Sequence, residues 1–304
     1  MKYLCSHLAM ALLAVAAVYQ PVLAQDPSSQ SATTYTYQPI NYTDASPTFA
    51  YGISNSGEVV GFYENGGCTQ EKGCGFTLIK TYASVECALE NGTQFFDISL
   101  NKNEIVGTYS YYGGVHGFIW QGNSSCFDIV EPNGQTSTEA TGVNDSGNVV
   151  GYYTDSSGDY QGFLYNATSQ EYSTISCTSW ANTRALAIND AGVIVGDVFT
   201  GDASNPGAPS AFVYESGKCT VFKFPKSYSS SARGINSSDQ ISGNYTDTST
   251  GPNYGFVKTG STFQSLNFPK STGTIGVHIN NKGQVAGIYA DSAMVNHGFV
   301  ATPK

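Results

Sequence analysis

Positive charge is what this chain has least of. Thirteen Lys and Arg stand against 23 Asp and Glu, a formal net charge of −10, and charged residues of both signs make up only 12% of the 304 residues. Such a surface repels a phosphate backbone, which argues against nucleic acid as a partner. Long apolar runs are also missing beyond the N-terminus, where no segment approaches the roughly 18 apolar residues that a membrane helix needs. Histidine is scarce, with only His116, His278 and His297 in the body of the chain. Neither H-E-x-x-H nor paired C-x-x-C occurs, so no zinc site is predicted. The Asp-bearing loops lack the D-x-[DN]-x-[DN]-G spacing of a calcium loop, and no G-x-S-x-G elbow offers a nucleophile. No metal and no cofactor is expected.

What the chain does have is Gly, Ser, Thr, Asn and Tyr, a mixture that suits short strands and turns and suits helices poorly. Its first residues read differently. Lys2, an apolar core from about Leu8 to Val18, and the small-residue run Val22-Leu23-Ala24 form a secretory signal peptide over residues 1–24. Cleavage takes one lysine with it and makes the net charge one unit more negative. No cysteine sits at the cut, which argues against a lipoprotein. Residues 25–33, rich in Ser and Gln, are expected to form a flexible leader, and residues 34–304 a single domain. Export, to the extracellular space or the periplasm, puts Cys68, Cys74, Cys87, Cys126, Cys177 and Cys219 in an oxidising compartment where they pair.

Self-similarity organises the rest. A glycine inside an apolar run recurs as Gly61, Gly107, Gly151, Gly196, Gly243 and Gly287, at spacings of 46, 44, 45, 47 and 44 residues. Side chains alternate along a strand, and one face of each run reads Val or Ile, then Gly, then mostly Tyr or Val. That face is expected to be buried and the other to be less constrained. A glycine inside a strand implies a neighbour packed closely over its backbone. Four residues upstream stand Gly57, Asn103, Gly147, Gly192, Asp239 and Gly283, all types that tolerate a left-handed backbone, so each marks a tight hairpin turn. The second copy departs with Ile98-Ser99-Leu100-Asn101, and its first strand is expected to shift register by one residue.

A third strand is built on Gly75-Phe76, Gly117-Phe118, Gly162-Phe163, Ala211-Phe212, Gly255-Phe256 and Gly298-Phe299, and a fourth is marked by runs such as Phe127-Asp128-Ile129. Four short antiparallel strands in about 45 residues make a propeller blade, so six copies predict an all-β, six-bladed β-propeller. After its third strand the last unit stops at Lys304, while Tyr35 to Ile40 resembles a fourth strand without a unit. It is expected to close the last blade. The register also pairs the cysteines. Cys87 and Cys177 follow a fourth strand at equivalent places, and Cys126 and Cys219 begin one, which predicts Cys87–Cys126 and Cys177–Cys219 bridges and leaves Cys68–Cys74 as a local loop.

The pattern Gly-Val-Asn-Asp-Ser-Gly-Asn-Val-Val-Gly-Tyr-Tyr-Thr-Asp at 142–155, with His-Gly-Phe at 116–118 and 297–299, resembles the extracellular HAF-type repeat proteins of bacteria. The resemblance spans about Tyr35 to Lys304 and implies secretion and a β-propeller, without an agreed activity. Aspartates at the end of the second strand, Asp155, Asp247 and Asp291, are expected to cap turns. His116 and His297 occupy equivalent places in distant blades, too far apart around a ring to share a metal.

Loops joining strands two to three and four to one emerge on the same face of a propeller. They carry Tyr111, Tyr112, Tyr160, Trp180, Arg184 and Tyr254 as candidate ligand-binding residues, because Tyr and Trp combine a large contact area with a polar tip. The composition and motifs favour a secreted, monomeric, non-catalytic binding or scaffold module for an extracellular protein or glycan. A glycan-binding lectin and a polysaccharide-active hydrolase or lyase are the alternatives.

Overall fold

A computed structural model describes residues 33–42, 46–65, 74–79, 81–85, 92–111, 114–122, 126–129, 137–177, 179–202 and 205–304. The expected signal peptide over 1–24 and nearly all of the expected leader over 25–33 lie outside the described residues. The described chain is all β: six four-stranded antiparallel sheets follow one another in sequence. Their first strands are Thr48–Ile53, Thr93–Ile98, Thr138–Val143, Asn182–Ile188, Ser229–Ile235 and Gly273–Ile279 in blades 1 to 6. Each first strand touches the first strands of the two neighbouring blades, and blade 6 returns to blade 1. The molecule is therefore a six-bladed propeller with the first strands innermost. In blade 6 the outermost strand is Tyr35–Ile40, antiparallel to Asn296–Pro303 with Tyr35 opposite Pro303 and Ile40 opposite Gly298.

The recurring glycine has a direct partner. In every blade it lies opposite the phenylalanine of the third strand: Gly61 faces Phe76, Gly107 Phe118, Gly151 Phe163, Gly196 Phe212, Gly243 Phe256 and Gly287 Phe299. A Cβ at Gly151 would stand 1.9 Å from the Glu139 carbonyl oxygen and 2.7 Å from Phe163 Cζ. Only a residue without a side chain leaves room for that ring. All six phenylalanines are at most 2% exposed, and burying each stabilises the fold by about 2–3 kcal/mol.

Two expectations need correction. The second strand is not half-buried: every residue of Val59–Tyr63 and of Ile194–Phe199 is buried. Blades stack face to face, so both faces of this strand meet protein. Nor does the second copy shift register. Ile98 pairs with Ile105 just as Ile53 pairs with Val59, and the extra residue is absorbed by the turn, where Ser99 N–H bonds Glu104 O in place of the shorter Ser54-to-Glu58 closure. Buried Ile98 and the adjoining bulge fix the strand, so the turn takes up the extra residue, with Leu100 buried in it and Asn101 to Asn103 exposed.

The turn residue four before the recurring glycine has positive φ in all six copies, from 56° at Asp239 to 90° at Gly57. Around these turns the blades are tied in two circuits. Asn144 Nδ2 donates to Asn189 O, Asn189 to Asn236 O, Asn236 to Asn280 O and Asn280 to Ser54 O. One residue further, Asn101 N–H donates to Asp145 Oδ1, Asp145 N–H to Asp190 Oδ1, and Ser237 Oγ to Asp190 Oδ2. Ser237 N–H then reaches Asn281 Oδ1, Asn281 N–H reaches Asn55 Oδ1, and Asn55 Nδ2 returns to Asn101 Oδ1. The second circuit is closed around the axis at the turn end.

Cys177 and Cys219 form a disulfide between the end of blade 3 and the outer strand of blade 4. Cys74 is also disulfide-bonded. Cys68, Cys87 and the side chain of Cys126 lie outside the described residues, so the two other expected bridges fall there. Asp155 and Asp291 cap their turns, accepting from Ser157 and Asp159 N–H and from Ala293 and Val295 N–H respectively.

Candidate functional site

Each first strand carries a β-bulge at the same place. The register skips one residue between Ala50 and Gly52, Phe95 and Asp97, Ala140 and Gly142, Ala185 and Ala187, Ala232 and Gly234, and Gly276 and His278. A bulged residue is unpaired and its side chain is re-aimed. The skipped residues are Tyr51, Phe96, Thr141, Leu186, Arg233 and Val277, and all six line one axial cavity of about 120 Å³. Asp97, Glu139, Tyr152, Arg184 and His278 complete its wall. Glu139 and Arg184 stand near the start of their strands, so the cavity lies toward the face where the two-to-three and four-to-one loops emerge, opposite the turn circuits. Phe96 and Glu139 also line an adjoining groove of about 290 Å³ between blades 1 to 3.

The whole chain has two arginines, and both are here. Their electrostatic situations differ. Arg184 donates through Nε and Nη2 to the two carboxylate oxygens of fully buried Asp197, at 2.8 and 2.9 Å, and its guanidinium lies 5.2 Å from the Phe199 ring centroid, 5.7 Å from Tyr152 and 5.8 Å from Tyr160. Burial opposes its charge, but the Asp197 carboxylate outweighs burial and holds the guanidinium above its ordinary pKa. Arg233 donates through Nε to Asn244 Oδ1 at 2.8 Å, and Asn244 in turn donates to Asn253 Oδ1. Among the described residues no carboxylate lies within ion-pairing distance of Arg233.

On the wall beside Arg184, Tyr152 O–H donates to Glu139 Oε2 at 2.6 Å. Burial raises the Glu139 carboxyl above its ordinary pKa, with the Tyr152 bond and the Arg184 charge opposing. Burial, reinforced by Glu139, keeps the Tyr152 phenol well above 10.0. Across the axis Tyr51 lies between Phe62, on which it stacks, and Phe96, which is tilted against it, at 5.5 and 5.3 Å between centroids.

Deeper in the cavity lies a buried acid–imidazole pair. His278 Nε2 is 3.1 Å from Asp97 Oδ1, with the two residues 5% and 2% exposed. On its other side the ring is held by the Ile53 backbone, with Nδ1 3.1 Å from Ile53 N and 3.2 Å from Ile53 O. Asp97 also accepts from Ile98 N–H at 2.8 Å and Val143 N–H at 3.0 Å. Burial raises its pKa, while His278 and these two bonds lower it. In the other four blades the same position is Gly52, Gly142, Ala187 or Gly234. Asp97 and His278 come from the two blades flanking blade 1, and they meet where Gly52 presents no side chain.

Of the residues singled out from the sequence, Arg184 and Tyr160 come together as described. Trp180 packs on the blade 3–4 core beside Cys177 and Ile175, and Tyr254 lies against Tyr245 at 5.4 Å. Neither lines the axial cavity. Tyr112 and the side chain of Tyr111 lie outside the described residues. His116 and His297 each stack on a tyrosine of their own blade, at 5.4 and 5.1 Å, away from the axis. Tyr51, Phe96, Asp97, Glu139, Tyr152, Arg233 and His278 were missed. Their signal was present as departures from the repeat: Asp97 and His278 replace small residues, and Glu139, Arg184 and Arg233 stand at positions that differ in every copy.

These features define a six-bladed propeller with a charged axial pocket. A family model described as a protein of unknown function, DUF3466, matches residues 99–223. No curated protein matches the sequence. Among solved structures the chain is similar to a triple mutant of AofleA from Arthrobotrys oligospora, at 14% identity over 88% of this chain and 86% of that one, with a TM-score of 0.51. It is similar to a Hadza microbial sialidase at 11% identity over 85% of this chain and 66% of that one (TM-score 0.53), and to TolB from Acinetobacter baumannii at 9% identity over 73% and 55% (TM-score 0.51). The chain thus spans less than two thirds of the sialidase and of TolB. At these identities the likeness is one of fold alone.

Proposed function

We propose that this chain is a secreted, monomeric binding module of the HAF-type repeat class, without catalysis, whose extracellular protein or glycan partner inserts a group into the axial mouth. One observation carries the reading: both arginines of an arginine-poor chain converge on a single axial cavity with Glu139, Tyr51 and Tyr152. Polar groups converging on a partly apolar concavity are what a small-ligand site requires. Residues 1–24 serve as a cleaved signal in this reading, and N-terminal sequencing of the secreted protein should begin at Gln25. A broad glycan array and cross-linking to envelope proteins, run with the wild type and with a Leu186→Trp variant that fills the cavity, test the site. Selective binding lost in the variant at unchanged melting temperature is the expected result. Binding that persists undiminished would place the site elsewhere.

A lectin is the form of this reading in which the partner is a glycan. A hydrolase is the second reading, favoured by the short Tyr152–Glu139 bond, a phenol held by a carboxylate beside an arginine. Tyrosine serves as nucleophile in sialidases. Turnover of fluorogenic acidic glycosides, abolished by Tyr152→Phe, would replace the binding reading with this one.

A further inference from the structure

The axial pocket is polarised. Blades 4 and 5 contribute the two arginines, and the blades facing them across the ring, 1 and 2, contribute Tyr51 and Phe96, whose rings are tilted against each other. Arg184 is neutralised by the bidentate Asp197 carboxylate, so the unmatched cation is Arg233. Its Nε is fixed by Asn244, which sets the guanidinium plane, and among the described residues its two terminal nitrogens have no hydrogen-bond partner. Glu139 is engaged through Oε2, and among the described residues Oε1 has no partner.

We infer that, if the axial mouth is the binding site, it takes a sugar carboxylate: a pyranose ring bearing one carboxylate, with that group on Arg233. A planar guanidinium fork held at one nitrogen presents its remaining N–H groups to a carboxylate in bidentate fashion. A single unmatched arginine, in a cavity whose wall also carries Glu139, favours a monoanion over a doubly charged phosphate. The ring's C–H face rests on Phe96, which lines both the cavity and the groove, and its hydroxyls donate to Glu139 Oε1. The cavity of about 120 Å³ admits a small headgroup, and the remainder of a larger glycan follows the adjoining groove past Phe96 and Glu139.

Titration calorimetry on the secreted protein with glucuronate and N-acetylneuraminate, each beside its methyl ester and beside glucose, tests this, and the two acids separate a uronate from a nonulosonate source. One acid should bind, its ester should lose about tenfold or more in affinity, and Arg233→Gln should lose as much at unchanged melting temperature while Arg233→Lys retains part. An ester or glucose that binds as well as the acid overturns the inference, as does an Arg233→Gln variant with wild-type affinity or the absence of binding by either acid. The ester comparison needs no variant and stands even if Arg233→Gln misfolds. A ligand displaced by Leu186→Trp yet indifferent to Arg233→Gln would sink the carboxylate and keep the axial site. Ligands indifferent to Leu186→Trp would sink the axial site itself.

Discussion

The two ends of the same six inner strands follow opposite rules. At the turn end every copy repeats a short polar turn with one left-handed residue, and side-chain amides and carboxylates link blade to blade in a closed circuit. At the mouth end the bulged position is Tyr, Phe, Thr, Leu, Arg and Val in turn, and the residue two before it is Phe49, Gln94, Glu139, Arg184, Ser231 and Ile275. The turn end solves one problem six times, joining each blade to the next, so one solution recurs. The mouth faces a single cavity that all six blades share, so different side chains are worth more there than six copies of one. The buried Asp97–His278 pair lies between the two regimes, where two copies depart from a small residue.

The contrast can be broken most severely at Arg184. Arg184→Ala would leave Asp197 buried without its cation and should cost about 3–5 kcal/mol, read as a loss in denaturant midpoint; a near-neutral result would mean that Ser231, which donates to Asp197 at 2.7 Å, suffices. Arg233→Gln, by contrast, should change stability by less than about 1 kcal/mol.

The pair at the boundary comes next. Asp97→Asn forfeits an acceptor for Ile98 or Val143 N–H and should cost about 2 kcal/mol. Its pH signature follows from burial. Asp97 has a folded pKa raised above 3.8, so between those two values the folded chain binds more proton than the unfolded one, and this residue's contribution to stability falls as pH rises. The gap between wild type and variant should therefore narrow as pH rises through that window. A widening gap would assign Asp97 a depressed folded pKa.

At the turn end Asn189→Ala removes the link to Asn236 O and Asp239 and leaves Val193 N–H without its acceptor, a loss of about 1–2 kcal/mol by thermal melting. The smallest effect is expected at Asn281, an exposed member of the outer circuit. Asn281→Ala should cost less than about 0.5 kcal/mol, and a larger loss would show that the circuit acts cooperatively.

Blade number, turn positions and the recurring glycine were legible because they depend on local rules repeated six times. Gly151 opposite Phe163 needs only strand alternation and pairing to be anticipated. The axial site was hidden for a physical reason. Glu139, Arg184 and Arg233 are 45 and 49 residues apart in sequence, and a period that identifies equivalent positions does not say which of them face the axis. A bulge in each strand decides that, and nothing in a short strand such as Ser229–Ile235 marks Arg233 as the skipped residue. Tyr and Trp drew attention through composition, yet Trp180 and Tyr254 pack within the blades.

By itself the sequence determined the period, the strand count per repeat and the residues that must bend backward or lie flat, because these depend on backbone sterics and side-chain alternation within a few residues. Only the closed ring decided that the chain's two arginines share a cavity, that Asp97 meets His278 in front of Gly52, and that Arg184 is neutralised while Arg233 is not. Those outcomes depend on the distance between groups on different blades, which is fixed when six sheets close around one axis.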